Sequence, residues 1–169
     1  FNDVAKRSVE WTRGVLPPTQ LKFLAELPKG PMLLTKDVEI CHGSPFDEDY
    51  YIFDGSDARR AMDGASARIC LYGHTHLPAI FATAEDPTTP SPGDADEEIG
   101  LPGVGPVLIN VGSVGQPRDG DARAAYGILD IAENTVQLRR VEYDIPGAQK
   151  RILNAGLPAW LALRLERGQ

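Results

Sequence analysis

An α/β (α+β) fold is predicted by three observations in this 169-residue chain. Short apolar runs bounded by Gly and Pro alternate with segments of helical spacing. One such run, Ala67-Arg68-Ile69-Cys70-Leu71-Tyr72, leads straight into a turn bracketed by Gly73 and Pro78, as a buried strand does. Further on, two strand-like runs flank Ala132-Glu133-Asn134, the pattern of a β-hairpin.

Taken in order, Val4, Val9, Trp11 and Val15 give residues 4–15 a loose helical period, weakened at Gly14 and stopped by Pro17-Pro18. Pro18 and Thr19 open a second helix, whose Leu21, Phe23, Leu24 and Leu27 make a buried stripe before Pro28 ends it. Residues 32–35 and 38–41 read as short strands, with His42 at the end of the second. Residues 56–65 read as a short helix with Arg59 and Arg60 exposed. The buried strand at 67–72 is followed by its turn and by a further strand at 79–84. Residues 85–105, rich in Pro, Gly and acidic residues with no apolar period, read as a surface loop. Strand character returns at 107–111, the hairpin occupies 125–131 and 135–143, and residues 146–168 hold two short helices broken at Gly156 and Pro158.

The length of this 18.3 kDa chain suits one core. Hydrophobic residues at 42% and charged residues at 24% are ordinary for a soluble domain. No run approaches the ~18 apolar residues of a membrane span. A net charge of -7 and a pI of about 4.9 argue against binding to nucleic-acid duplexes or anionic membranes. A phosphorylated ligand therefore needs help from bound cations. Cys41 and Cys70 are flanked by strand-like apolar residues and read as small buried hydrophobes. With no Cys-x-x-Cys pair and no secretory leader in these residues, a reducing cytoplasm is the expected compartment. The first residue is Phe1 rather than Met, so the chain is expected to begin inside a longer product.

The chemistry concentrates in three short blocks. Gly73-His74-Thr75-His76 holds two of the three histidines, and the third opens His42-Gly43-Ser44-Pro45. Histidine this scarce and clustered points to a metal site at a strand end, because neutral imidazole suits borderline ions. On a regular strand His74 and His76 share a face and can bind one ion; a turn between them serves two. From spacing alone, a mononuclear three-histidine zinc site of the hydratase or lyase type fits equally well. The third block, Asn110-Val111-Gly112-Ser113-Val114-Gly115-Gln116-Pro117-Arg118, runs from a strand into a glycine turn that can present N–H groups to an anion, with Arg118 able to grip a phosphate. It lacks the Gly-Lys-Ser/Thr ending of a P-loop.

In this order and separation the three blocks resemble the C-terminal motif set of the calcineurin-like binuclear metallophosphoesterases, closest to their bacterial and archaeal phosphodiesterase-like branch. The resemblance covers essentially the whole chain and implies a sandwich of two mixed β-sheets flanked by helices. It implies that His42 and His74 hold one divalent ion and His76 its neighbour, the pair of ions activating a hydroxide for attack on a phosphomonoester or phosphodiester. Mn is the first expectation for both ions, with Fe, Zn, Ni and Co as further options. Asn110, Ser113 and Arg118 then form the adjoining substrate wall, Arg118 facing phosphate. The implied partners are a phosphorylated small molecule or a phosphoprotein.

The family's Asp-x-His, Gly-Asp and Gly-Asn-His-Asp/Glu motifs have no counterpart here. Gly93-Asp94 and Gly120-Asp121 lie in the wrong contexts. Residues 1–169 are therefore expected to be the C-terminal part of a single metallophosphoesterase domain, with the general-acid histidine outside them. A catalytically silent metal-binding or scaffold module is the alternative that these missing motifs raise. Half a sandwich leaves sheet edges bare, so pairing with another copy is also expected. Val111 stands where relatives commonly have Pro, and the loop at 85–105 is longer than usual, a place where specificity can be set.

Overall fold

The computed structural model describes residues 3–82 and 98–169. Its elements are α1 (Asp3–Val15), α2 (Pro18–Ala25), β1 (Met32–Leu33), β2 (Val38–Ile40), α3 (Gly55–Gly64), β3 (Ile69–Tyr72), β4 (Ala79–Phe81), β5 (Glu98–Gly100), β6 (Val107–Asn110), β7 (Ala124–Asp130), β8 (Thr135–Val141), α4 (Ile145–Asn154) and α5 (Ala159–Leu163). The chain divides into two compact units. The larger runs from Gly30 to Tyr143 and includes Arg167–Gln169; the smaller joins Phe1–Lys29 to Asp144–Glu166.

The larger unit contains both sheets. One has five strands in the order β1-β2-β3-β6-β4 and is mixed, since β2, β3 and β6 are parallel while β1 and β4 run against their neighbours. The other, β5-β8-β7, is antiparallel throughout its described strands. Alternation along the strands sends successive side chains to opposite faces and builds two cores on the five-stranded sheet. Ile69, Val107 and Ile109 meet Val136 and Leu138 of the second sheet, closing a sandwich. On the other face Cys70, Tyr72 and Leu108 pack with Ala58 and Ala61 of α3.

The acidic stretch was expected to be loop as far as residue 105, yet Glu98–Gly100 forms β5 and pairs with β8. Ile99 and Leu101, two apart, both reach the core between the sheets. Two apolar residues set among Pro, Gly and acid are too few to display a period. The part of the expected loop at 85–97 lies outside the described residues. The last residues of the expected strand at 79–84, beyond Ala82, lie outside them too.

α3 begins where Asp54 accepts hydrogen bonds from the backbone N–H groups of Ser56 and Asp57 at 2.8 and 3.0 Å, a side-chain cap worth about 1 kcal/mol. Arg59 is exposed as expected, but the exposed Arg60 lies over the rings of Phe46 and Tyr50 at 4.5 and 5.1 Å. In the smaller unit, α1 and α2 enclose an apolar groove of about 570 Å³ lined by Val9, Leu16, Leu21 and Leu24. The stripe expected to bury on α2 is open there, with Phe23 63% exposed. α4 and α5 are joined by Gln149, which donates to the Ala162 carbonyl at 3.0 Å. Among the described residues no helix is long and apolar enough to cross a membrane.

Ile69 is completely buried between the sheets. Ile69→Ala is expected to lower the unfolding free energy by about 2–5 kcal/mol through lost burial and the cavity left behind. Denaturant titration of the variant beside the parent chain measures it.

Candidate metal centre

β2, β3 and β6 lie side by side and parallel, so their C-terminal ends open on one edge of the sheet, where α/β folds place their sites. His42 follows β2, the turn with His74 and His76 follows β3, and the segment from Val111 to Arg118 follows β6. Backbone bonds extend the pairing beyond the strands, Cys41 donating to Leu71 at 3.0 Å and Gly73 to His42 at 2.8 Å. The three blocks are thus neighbours because their strands are.

His42 and His74 converge. Nε2 of His42 and Nδ1 of His74 are 3.0 Å apart, and the rings meet edge to face with centroids 4.7 Å apart. Nε2 of His74 lies 3.1 Å from the Asp49 carbonyl oxygen. A carbonyl only accepts, so that nitrogen carries the proton and Nδ1 presents its lone pair towards His42. Two ligand nitrogens at right angles on one ion, each about 2.1 Å from it, are about 3.0 Å from each other. The donor spacing therefore fits a shared ion.

His76 is set differently. Its Nδ1 donates to the Gln116 carbonyl at 2.7 Å, which puts the lone pair on Nε2. Among the described residues no group of three or more His, Cys, Asp or Glu is placed to hold one ion. The three-imidazole mononuclear arrangement is therefore not formed. Both His74 (φ 67°) and His76 (φ 62°) occupy the left-handed region. Such conformations cost about 1–3 kcal/mol each outside Gly and persist where surroundings over-determine them.

Asn110 supplies that over-determination. It is fully buried, and its Nδ2 donates to the Gly73 carbonyl and to Thr75 Oγ1, both at 2.9 Å. Its Oδ1 accepts from the Gly112 N–H at 2.9 Å. Gly112 takes φ 85°, and a Cβ there would crowd Ala125 and Pro78 at 3.0 and 3.1 Å. Asn110 was expected in the substrate wall; burial and a fully used amide make it a positioning residue instead. Ser113 has a similar place, since its Oγ accepts from Gln116 N–H at 2.9 Å and Gln116 in turn receives His76. Arg118 is exposed, and its backbone N–H donates to the His76 carbonyl at 3.3 Å.

The loop after His42 contributes residues that no motif announced. Tyr51 stacks on His74 with centroids 3.9 Å apart. The loop is clamped to α3 through Asp57, which accepts from Tyr50 Oη at 2.7 Å and from Phe53 N–H at 3.0 Å. Gly43 is required, because a Cβ would lie 2.5 Å from the Glu48 carbonyl oxygen. Behind the site, Cys41 and Cys70 are free thiols with sulfurs 3.6 Å apart. Cys70 is buried as expected and Cys41 is half-buried; the contact with Cys41, then burial, pushes the Cys70 thiol up.

Desolvation, then the adjacent His42 and then Arg118, hold His74 below the ordinary imidazole value, while the Asp49 carbonyl acts the other way. The neutral form that a metal needs is thereby favoured.

Three comparisons bear on this geometry. A family profile described as the calcineurin-like phosphoesterase superfamily domain matches residues 19–134. An uncharacterized protein of Methanocaldococcus jannaschii is 33% identical, the match covering 100% of this chain and 68% of that protein. The crystal structure of a metallophosphoesterase from Sphaerobacter thermophilus superposes with a TM-score of 0.89 at 34% identity, covering 99% of this chain and 70% of that one. A hypothetical protein from Pyrococcus horikoshii shares the fold, with a TM-score of 0.76 at 20% identity over 100% of this chain and 62% of its own.

Two outcomes are expected from these contacts. Asn110→Ala removes the amide's bonds to the Gly73 carbonyl, Thr75 Oγ1 and the Gly112 N–H, and should lower stability by about 1–3 kcal/mol. It should also weaken divalent-metal binding about 10- to 100-fold, as loss of a supporting contact does, measured by calorimetric titration. For His74 the folded value lies below the reference of 6.5, so between the two the unfolded chain binds more protons. Stability of the metal-free chain therefore rises with pH through that window and is lost as acid protonates His74. NMR titration of the His74 ring protons, beside unfolding at several pH values, checks the sign.

Proposed function

The chain belongs to the calcineurin-like phosphoesterase superfamily, and from that premise we propose that it supplies the histidine ligands of a two-ion centre hydrolysing a phosphomonoester or phosphodiester. The observation that carries this reading is the convergence of His42 Nε2 and His74 Nδ1 at 3.0 Å, with His76 on the same strained turn. His42 and His74 hold one ion and His76 the other. When bound, divalent ions polarise phosphoryl oxygens and acidify water at neutral pH.

The chain's own residues do the rest of the binding and orientation. Asp49 and Gln116 fix the imidazole tautomers through their carbonyls, as supporting shells do at metal sites. Tyr51 covers a face of His74 and limits its rotation. Arg118 offers five donors in a planar fork to a substrate phosphate, and its charge offsets the chain's net charge of -7 at the point where an anion arrives. Carboxylate ligands come from outside the described residues, where no Asp or Glu joins the histidines. Imidazole donors suit Mn, Fe, Co, Ni or Zn, with Mn taken first. The substrate is a phosphorylated small molecule or a phosphoprotein.

The test is metal content by elemental analysis together with turnover of p-nitrophenyl phosphate and bis-p-nitrophenyl phosphate by a full-length preparation in Mn2+. Two ions per chain with turnover of either ester, both lost on chelation, is the expected result. His74→Ala should abolish the His42 site and activity together. Arg118→Ala should raise KM about 10- to 100-fold, the worth of a hydrogen bond to a charged group, with metal content unchanged. One ion or none, without turnover, would favour a silent metal-binding module.

A further inference from the structure

The two cysteines of residues 1–169 take no part in the chemistry above, yet they touch each other directly behind the histidines. Their sulfurs are 3.6 Å apart, and both are free thiols. Cys41 immediately precedes His42, and Cys70 lies in β3, the strand that leads to His74. The pairing of β2 with β3 brings them together, and both pack in the core beneath α3.

The two thiols differ in freedom. Cys70 is completely buried, and its strand is paired on both sides, with Glu39 of β2 opposite it on one and Leu108 of β6 on the other. Cys41 is half-buried and stands just past Ile40, the last residue of β2. Its N–H still donates to the Leu71 carbonyl at 3.0 Å, but the ladder of paired residues has ended. A reachable thiol in contact with a shielded one is the arrangement of an oxidisable cysteine and its resolving partner. In reducing compartments, disulfides of this kind are transient and sensing rather than structural.

We propose that Cys41 and Cys70 form a reversible oxidation site, closed to a disulfide by hydrogen peroxide and reopened by a thiol reductant, and that closure moves His42 relative to His74. The Cys41 sulfur is oxidised to a sulfenic acid as it takes one oxygen from the peroxide, which is reduced and leaves its other oxygen as water. The Cys70 sulfur then bonds to the Cys41 sulfur while the S–O bond breaks, and the hydroxide leaves with the Cys70 proton as a second water. Contact with Cys41, then burial, keeps that proton on Cys70 until this step, so the proximity of the two sulfurs is what drives it. A disulfide is shorter than the thiol contact, so the sulfurs must draw together. Cys70 is held in its ladder, and the movement therefore falls on Cys41 and on the His42 joined to it. That histidine is the one whose Nε2 lies 3.0 Å from Nδ1 of His74.

The test treats a full-length preparation with hydrogen peroxide and maps its peptides without reduction. A linked pair of peptides bearing Cys41 and Cys70, lighter by two hydrogens and undone by dithiothreitol, is the expected result. Cys70→Ala should instead leave a Cys41 sulfenic acid that dimedone traps. In NMR spectra of the metal-free oxidised protein, the His42 ring signals, assigned by their loss in His42→Gln, should shift and return on reduction. Calorimetry should show Zn2+ binding weakened about tenfold in the oxidised form, the lower end of what disturbed ligand support costs. Only that last readout rests on His42 and His74 being metal ligands. Both cysteines still open to alkylation after peroxide, Cys41 carried on to sulfinic acid, or a bridge only between two chains each overturns the site. So does a Cys41–Cys70 bridge that leaves the His42 signals unmoved. Where the reduced protein binds no Zn2+ and turns over no ester, the phosphoesterase reading has failed, yet a mapped bridge with shifted His42 signals supports the site.

Discussion

The buried amide of Asn110 is the interaction on which the rest of the site depends. Both of its N–H donors are used on the turn after β3, and its oxygen holds the turn after β6. One side chain thus closes two loops that carry two histidines and an arginine. Without it, the turn at Gly73–His76 would keep its backbone bonds to His42 and Arg118 but lose the side-chain anchor that helps hold two histidines in the left-handed region. Complete satisfaction of that amide lets a polar side chain occupy a fully buried position at the end of an apolar strand.

Strand order does the remaining alignment. Because β2, β3 and β6 are adjacent and parallel, residues 31 to 68 positions apart in sequence arrive at one edge with no further device. The loop from Gly43 to Phe53 needs more help. It is fastened at its far end to α3 by Asp57 and by Arg60 over Phe46, and only then can Asp49 and Tyr51 meet His74. The helix start fixed by Asp54 therefore bears on the orientation of His74, some twenty residues later.

Much of this was readable from residue order. Apolar runs bounded by Gly and Pro located β2, β3, β6 and the hairpin, and the scarcity of histidine marked the centre. The roles of Asn110 and Ser113 were not readable, since a polar residue after a strand looks the same whether it faces substrate or a buried turn. Only the burial of Asn110 and the partners of Ser113 distinguish the two. β5 escaped notice because Ile99 and Leu101 are its whole apolar signal, and its pairing with β8 is set by tertiary contact. Tyr51 and Asp49 contribute through a ring face and a carbonyl, neither of which leaves a spacing in sequence.

Charge sets the last constraint. A chain at -7 repels the anions that a phosphoesterase must admit, and screening over about 8 Å in physiological salt leaves the local charges to decide the approach. Arg118 is the cation that borders His74, while nearby Arg123 and Arg140 are engaged with Asp121 and Asp119. In the proposed two-ion centre, the ions would supply most of the attraction for phosphate. Coulombic attraction of that kind reads charge and says little about what the phosphate is attached to. Discrimination among phosphoesters would then rest on uncharged contacts.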